Sequence, residues 1–159
     1  MKITLICVGK LKEQYLVQGV QEYQKRLSRY CTLEIIELAD EKTPDNASEA
    51  LEDIIRKKEG ERILKVLKED SYCIALAING TMLTSEDLAD KIAALGVAGN
   101  SHISLIIGGS LGLSDEVLSR ANDKLSFSKM TFPHQLMRMI LLEQIYRSYR
   151  IMTHQPYHK

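Results

Sequence analysis

Three stretches of the chain are apolar almost without interruption: Ile3 to Val8 (ITLICV), Tyr72 to Ile78 (YCIALAI) and Ile103 to Ile107 (ISLII). They are short and rich in β-branched residues, so they read as strands rather than helices. A strand without a polar face must be covered on both sides, the situation of a parallel sheet held between layers of helix. Leu33 to Leu38 (LEIIEL) carries Glu34 and Glu37 and fits an edge strand of the same sheet. Lys124 to Phe127 is a weaker fifth candidate.

Helical patterns fill the intervals. One runs from about Lys12 to Tyr30. A second runs from about Ala47 to Lys68, with Leu51, Ile54, Ile55, Ile63, Val66 and Leu67 on its apolar positions. Gly60 falls inside it at a cost of about 1 kcal/mol relative to Ala, which predicts a bend or break there. A third begins at Thr84-Ser85-Glu86-Asp87, a capping box, and continues through Leu88, Ile92 and Leu95. A short fourth starts at Ser114, with Asp115 and Glu116 placed to favour its first turn. The last runs from near Pro133 to about Met152. Alternation along the whole chain predicts an α/β fold: a mostly parallel sheet with helices on both faces, in a single domain over residues 1–159. The longest loop falls at Asp40 to Asn46.

With 159 residues the chain can form a full core without staples. Cys7 and Cys73 lie inside apolar runs and read as buried free thiols; with Cys31 they make an odd count with no CxxC pair, so neither zinc nor a redox motif is indicated. No signal peptide or membrane-length apolar run is present, and a cytoplasmic location is expected. Lys and Arg balance Asp and Glu at 21 each. From Arg120 to Lys159, however, seven basic residues stand against Asp123 and Glu143, a net +5 balanced by −5 over residues 1–119. A basic end on a neutral chain suits phosphates as well as a solvated helix face.

In an open α/β sheet ligands bind beyond the carboxyl ends of the strands. Three such ends stand out. Ile78-Asn79-Gly80 follows the third strand. Ile107-Gly108-Gly109-Ser110-Leu111-Gly112 follows the fourth; its glycines serve either a tight turn or the close approach of backbone to a ligand. It is neither GxGxxG nor GxxxxGK. The segment Phe127-Ser128-Lys129-Met130-Thr131-Phe132 follows the fifth; its apolar side chains are either core or the wall of a site for a flat heterocycle. On the last helix, Glu143 and Arg147 form an i,i+4 pair, and Arg138, Arg147 and Arg150 either pair on the surface or face a phosphate chain. The tail Thr153 to Lys159 (THQPYHK) either frays or offers His154, Tyr157 and His158 to a base or a proton. His154 and His158 flank Pro156 and lack a third ligand, so no metal site is expected. GxSxG, HExxH and distinctive carboxylate pairs are missing. On residues alone three readings stand: a nucleotide-like enzyme site of methyltransferase type, a flavodoxin-like nucleotide site, and a non-catalytic RNA-binding module.

The motifs VGKLKE (Val8 to Glu13), IGGSLGL (Ile107 to Leu113), LSFSKMTFPHQLMR (Leu125 to Arg138), EQIYR (Glu143 to Arg147) and the terminal PYHK (Pro156 to Lys159) closely resemble those of the ribosomal RNA large subunit methyltransferase H family, of the SPOUT class. The resemblance runs from the first strand to the last residue. It implies an α/β sheet whose C-terminal part threads a loop to form a deep trefoil knot, which general rules of chain topology would not suggest. It implies a homodimer that transfers a methyl group from S-adenosylmethionine to N3 of a pseudouridine in 23S rRNA (pseudouridine-1915, in the loop of helix 69) on assembled ribosomes. Neither metal, DNA nor membrane is implied. By matching motifs, the resemblance places the cofactor around Leu76, Gly108, Phe127, Ser128, Lys129, Met130, Thr131 and Phe132. It makes Arg147, Tyr157 and His158 the catalytic set, acting in trans on the neighbouring subunit, with His134 a competitor for proton handling.

Overall fold

The computed structural model of the chain describes all 159 residues. The order is β1 (Lys2–Val8), α1 (Gln14–Leu27), β2 (Thr32–Leu38), α2 (Glu49–Val66), β3 (Tyr72–Met82), α3 (Ser85–Val97), β4 (His102–Ile107), α4 (Asp115–Arg120), β5 (Asp123–Ser126) and α5 (His134–Met152). The five strands form one sheet in the order β2-β1-β4-β3-β5, with every pairing parallel. The acid-bearing β2 lies at an edge, as its sequence predicts.

The central strands are buried on both faces. Ile3, Leu5 and Cys7 of β1 and Ile103, Leu105 and Ile107 of β4 share a core with Val20 and Leu27 of α1, Leu88, Ile92 and Leu95 of α3, and Leu141, Leu142 and Ile145 of α5. The alternate residues Ile6, Val8, Cys73 and Ile106 pack on the opposite side against Ile63, Leu67 and Val117, from the α2 and α4 layer. Each such aliphatic side chain contributes about 1.5–3 kcal/mol when taken fully out of water. Burial also raises the thiols, Cys7 to about 12 and Cys73 to about 11, so both remain inert and protonated. The capping box at α3 is formed: Thr84 Oγ1 accepts from Asp87 N, and Asp87 Oδ2 accepts from Thr84 N, both at 3.0 Å. Ser114 caps α4 through Val117 N.

Two expectations are corrected. Gly60 does not break α2, which is continuous from Glu49 to Val66. The glycine is there for space: a Cβ would lie 2.3 Å from Ser114 Oγ and 3.3 Å from Val117 Cγ2, where α4 crosses. The third strand does not stop at Ile78. After an irregularity between Leu76 and Thr81 it returns to pair with β5, Thr81 against Leu125 and Met82 against Ser126. A side chain on Gly80 would strike the Lys124 and Leu125 backbone at 2.7–2.8 Å, so this return requires glycine.

One cationic side chain is buried in the core layer. Arg138 of α5 is 1% exposed, donating Nη1 to Glu37 Oε2 at 2.5 Å and Nη2 to the Gly9 carbonyl at 3.0 Å. Glu37 also accepts the Leu11 N–H at 3.0 Å. These bonds tie α5 to the ends of β1 and β2. Arg138 therefore does not face a phosphate chain, one of the roles its sequence position suggested.

Two substitutions test this packing. Gly60→Ala would gain about 1 kcal/mol of helix propensity, but displacing the Ser114 cap costs about 1–3 kcal/mol. Urea unfolding should therefore show a net loss of stability. Arg138→Ala, which strands Glu37 and the Gly9 carbonyl, should cost about 3 kcal/mol in the same measurement.

Candidate active site

Because all strands are parallel, their carboxyl ends open on one side of the sheet. There the ends of β3, β4 and β5 surround a cleft open to solvent. Leu76, Ala77 and Ile78 come from β3. Ile107, Gly108, Gly109 and Gly112 come from the end of β4 and its loop. Leu125 and Ser126 end β5, Phe127, Ser128, Met130, Thr131 and Phe132 follow it, and His134 and Met137 come from the start of α5.

Local chemistry fixes both walls. Gly112 has φ +80°, and a Cβ on Gly108 would meet the Gly112 backbone at 2.9 Å. The loop thus folds tightly on itself and presents bare backbone to the cleft. Opposite, Ser128 Oγ accepts from Met130 N at 3.0 Å and the Ser128 carbonyl accepts from Ser126 Oγ at 3.1 Å, which sets the turn after β5. Phe127 is half-buried against the core, whereas Met130 and Phe132 are 74% and 37% exposed. The latter two are wall, not core. Burial lowers His134 below the usual imidazole range, with the Arg138 charge acting in the same direction. At neutral pH it faces the cleft uncharged.

Of the residues expected around a cofactor, Leu76, Gly108, Phe127, Ser128, Met130, Thr131 and Phe132 line this cleft. Lys129 does not; it is exposed beside it. Sequence reasoning pointed to Ile78 at the expected end of the third strand but missed Met137 and Ala77. Their signal was weak, since each continues an apolar pattern that core packing explains equally well.

Arg147, Tyr157 and His158 come together at the other end of α5. Glu143 organises them: its Oε1 accepts Arg147 Nη2 at 2.5 Å, Arg147 Nε at 3.1 Å and the Tyr157 hydroxyl at 3.0 Å. The Arg147 guanidinium lies 4.6 Å from the Tyr157 ring centroid. Arg147 Nη1 is 3.3 Å from His158 Nδ1, and His158 Nε2 is 2.7 Å from Glu86 Oε1. The tail is therefore held rather than frayed. Burial, with hydrogen bonds to Tyr23 and Glu143, pushes the Tyr157 phenol up, so it acts as a donor and not as a base. The hydrogen bond from His158 holds the Glu86 carboxyl below its ordinary range. Glu143 was visible in the sequence only as a helix pair with Arg147; its hold on Tyr157 spans 14 residues.

None of the three tail-cluster residues lines the cleft of its own chain. From His134 to Arg147 is about 20 Å along the helix at 1.5 Å per residue. No group of three or more His, Cys, Asp or Glu is placed to hold a metal ion, and no helix is long and apolar enough to cross a membrane.

Residues 1–158 match the family model described as "Predicted SPOUT methyltransferase". Over all 159 residues, and all of each relative, the chain is 67% identical to the ribosomal RNA large subunit methyltransferase H of Clostridium novyi (strain NT). It is 65% identical over the same span to that of Bifidobacterium adolescentis and 64% to that of Alkaliphilus oremlandii. Among solved structures, a probable methylase family protein from Haemophilus influenzae Rd KW20 superposes with a TM-score of 0.57 at 13% identity, covering 99% of this chain and 70% of that one; this likeness concerns the fold alone. On the family model and these full-length relatives, the chain belongs to the SPOUT methyltransferases, in the ribosomal RNA large subunit methyltransferase H family.

Proposed function

We propose that this chain, acting as one domain over residues 1–159, transfers a methyl group from S-adenosylmethionine to N3 of a pseudouridine in 23S rRNA (pseudouridine-1915, helix 69 loop) on assembled ribosomes in the cytoplasm. The observation that carries the reading is the cleft formed by the ends of β3, β4 and β5, with glycine backbone on one wall and Phe127, Met130 and Phe132 on the other. Backbone N–H and C=O groups beside apolar side chains suit adenine. Leu76, Gly108 and the segment Phe127 to Phe132 would hold it, with Lys129 at the rim. Passage of the segment after β5 through the neighbouring loops, forming the knot, would account for a site built without dinucleotide glycines.

When bound, S-adenosylmethionine supplies an electrophilic methyl on a sulfonium whose departure leaves a neutral thioether. The chain's main task is alignment, which can supply about 7–11 kcal/mol of the barrier. The walls exclude water and fix the direction of approach. The acceptor is an imide nitrogen that must lose its proton. His158, held on Glu86 through Nε2, handles that proton; Arg147 stabilises charge on the base or grips a phosphate; Tyr157 positions the target. In a homodimer the cluster, assembled within one chain, would face the neighbour's cleft. The 20 Å helical separation from its own cleft supports this arrangement in trans.

Ribosomes lacking the modification, incubated with the protein and methyl-labelled S-adenosylmethionine, should give label in N3-methylpseudouridine on nucleoside analysis. Label in another nucleoside would overturn the target but keep the enzyme class. Absence of both label and cofactor binding would leave the RNA-binding module as the better account. Deletion of Pro156 to Lys159 should lower transfer by about 10²-fold or more while dimerisation and cofactor binding persist. Loss of the dimer would assign the tail to assembly instead.

A further inference from the structure

Glu59 sits on α2 directly behind the glycine loop of the cleft. It is 5% exposed. Its Oε1 accepts the Glu41 N–H at 3.0 Å, and its Oε2 is buried with no hydrogen-bond partner. Arg62, one turn further along α2, is engaged elsewhere, on the Ala39 carbonyl and the Glu41 carboxylate. A buried carboxylate without a cation lowers stability unless something offsets it. A Cβ on Gly109 would lie 3.1 Å from Oε2 and 3.4 Å from Oε1. The bare backbone of Gly109 is thus what separates this carboxylate from the cleft that Gly109 lines on its other side. Burial pushes the Glu59 carboxyl up; the Glu41 N–H and Arg62 pull it down, and the Asp40 and Glu41 carboxylates push it up.

We propose that Glu59 is a specificity-determining residue that makes the cleft prefer a ligand bearing positive charge at the sulfonium position, so that S-adenosylmethionine binds in preference to S-adenosylhomocysteine. The inference rests on the reading of the cleft as a methyl-donor site. Methyl transfer removes the sulfonium charge, and the neutral thioether product loses its attraction to the carboxylate. Since the attraction is already present in the ground state, the benefit lies in exchanging product for donor and not in the chemical step. At an effective dielectric constant of about 20, a carboxylate behind the cleft wall and a unit positive charge on a ligand in the cleft would favour each other by roughly 10- to 30-fold.

The test is calorimetric titration of the intact protein with S-adenosylmethionine, with sinefungin, which carries an ammonium where the sulfonium would be, and with S-adenosylhomocysteine. Glu59→Gln should weaken the two cationic ligands by about 10- to 30-fold and S-adenosylhomocysteine by less than about 2-fold. Retained S-adenosylhomocysteine binding shows that the variant folds. Glu59→Asp, which keeps the charge, should keep the preference. Equal weakening toward all three ligands, no weakening at all, or loss of preference in Glu59→Asp would overturn the inference. A wild-type protein that binds none of the three would overturn the methyl-donor reading itself, and this inference with it.

Discussion

The central strands β1 and β4 must be covered on both faces, and the rest of the architecture follows from that. Ile3, Leu5 and Cys7 need one layer of helices, and Ile6 and Val8 need another. Helices that alternate between layers carry the chain back to the same end of the sheet after every strand, so the strands run parallel and their carboxyl ends gather on one side. The cleft lies at that side because it is where loops, not helices, close the sheet. Its placement follows from the hydrophobic pattern; its chemistry comes from the glycines and from the segment Phe127 to Phe132.

The helix α5 joins the cleft to the tail cluster. Its first turn contributes His134 and Met137 to the cleft, and its last turns carry Glu143, Arg147 and the tail they hold. Arg138 fixes this helix against the ends of β1 and β2, close to the end that meets the cleft. A helix anchored in that way fixes the direction in which its far end projects. The tail cluster is ordered by hydrogen bonds within the chain, so little rotamer freedom remains to be lost when it meets another surface.

The strands, the sheet class, the edge position of β2 and the α3 and α4 caps were legible in the sequence because each rests on local chemistry: hydrophobic period, charge, or a hydroxyl before a helix. The places where the sequence misled are contacts between distant segments. Gly60 looked like a helix breaker because propensity counts only the helix that contains it, while Ser114 decides the matter from 54 positions away. Arg138 looked like a surface cation because nothing local announces that Glu37 and Gly9 wait for it in the core. Lys129 sits among residues of the cleft but turns outward. Glu59 carried no signal at all, since an acid in a charged helix is ordinary until burial is known. Resemblance to a family supplied the cluster of Arg147, Tyr157 and His158; spacing alone would have left the tail as a loose end.

The two borders of the sheet also constrain how copies of this chain can associate. Along β2, Glu34 is paired with Lys2 and Glu37 with Arg138, so a strand added there would meet charge. At the other border β5 offers only four residues, Asp123–Ser126. Neither rim offers a long, flat, apolar ladder for continuing the hydrogen bonding into another molecule. Growth by sheet extension, the route to fibres and open-ended aggregates, is therefore poorly supported, and self-association is steered toward helical faces, where a two-fold contact closes on itself.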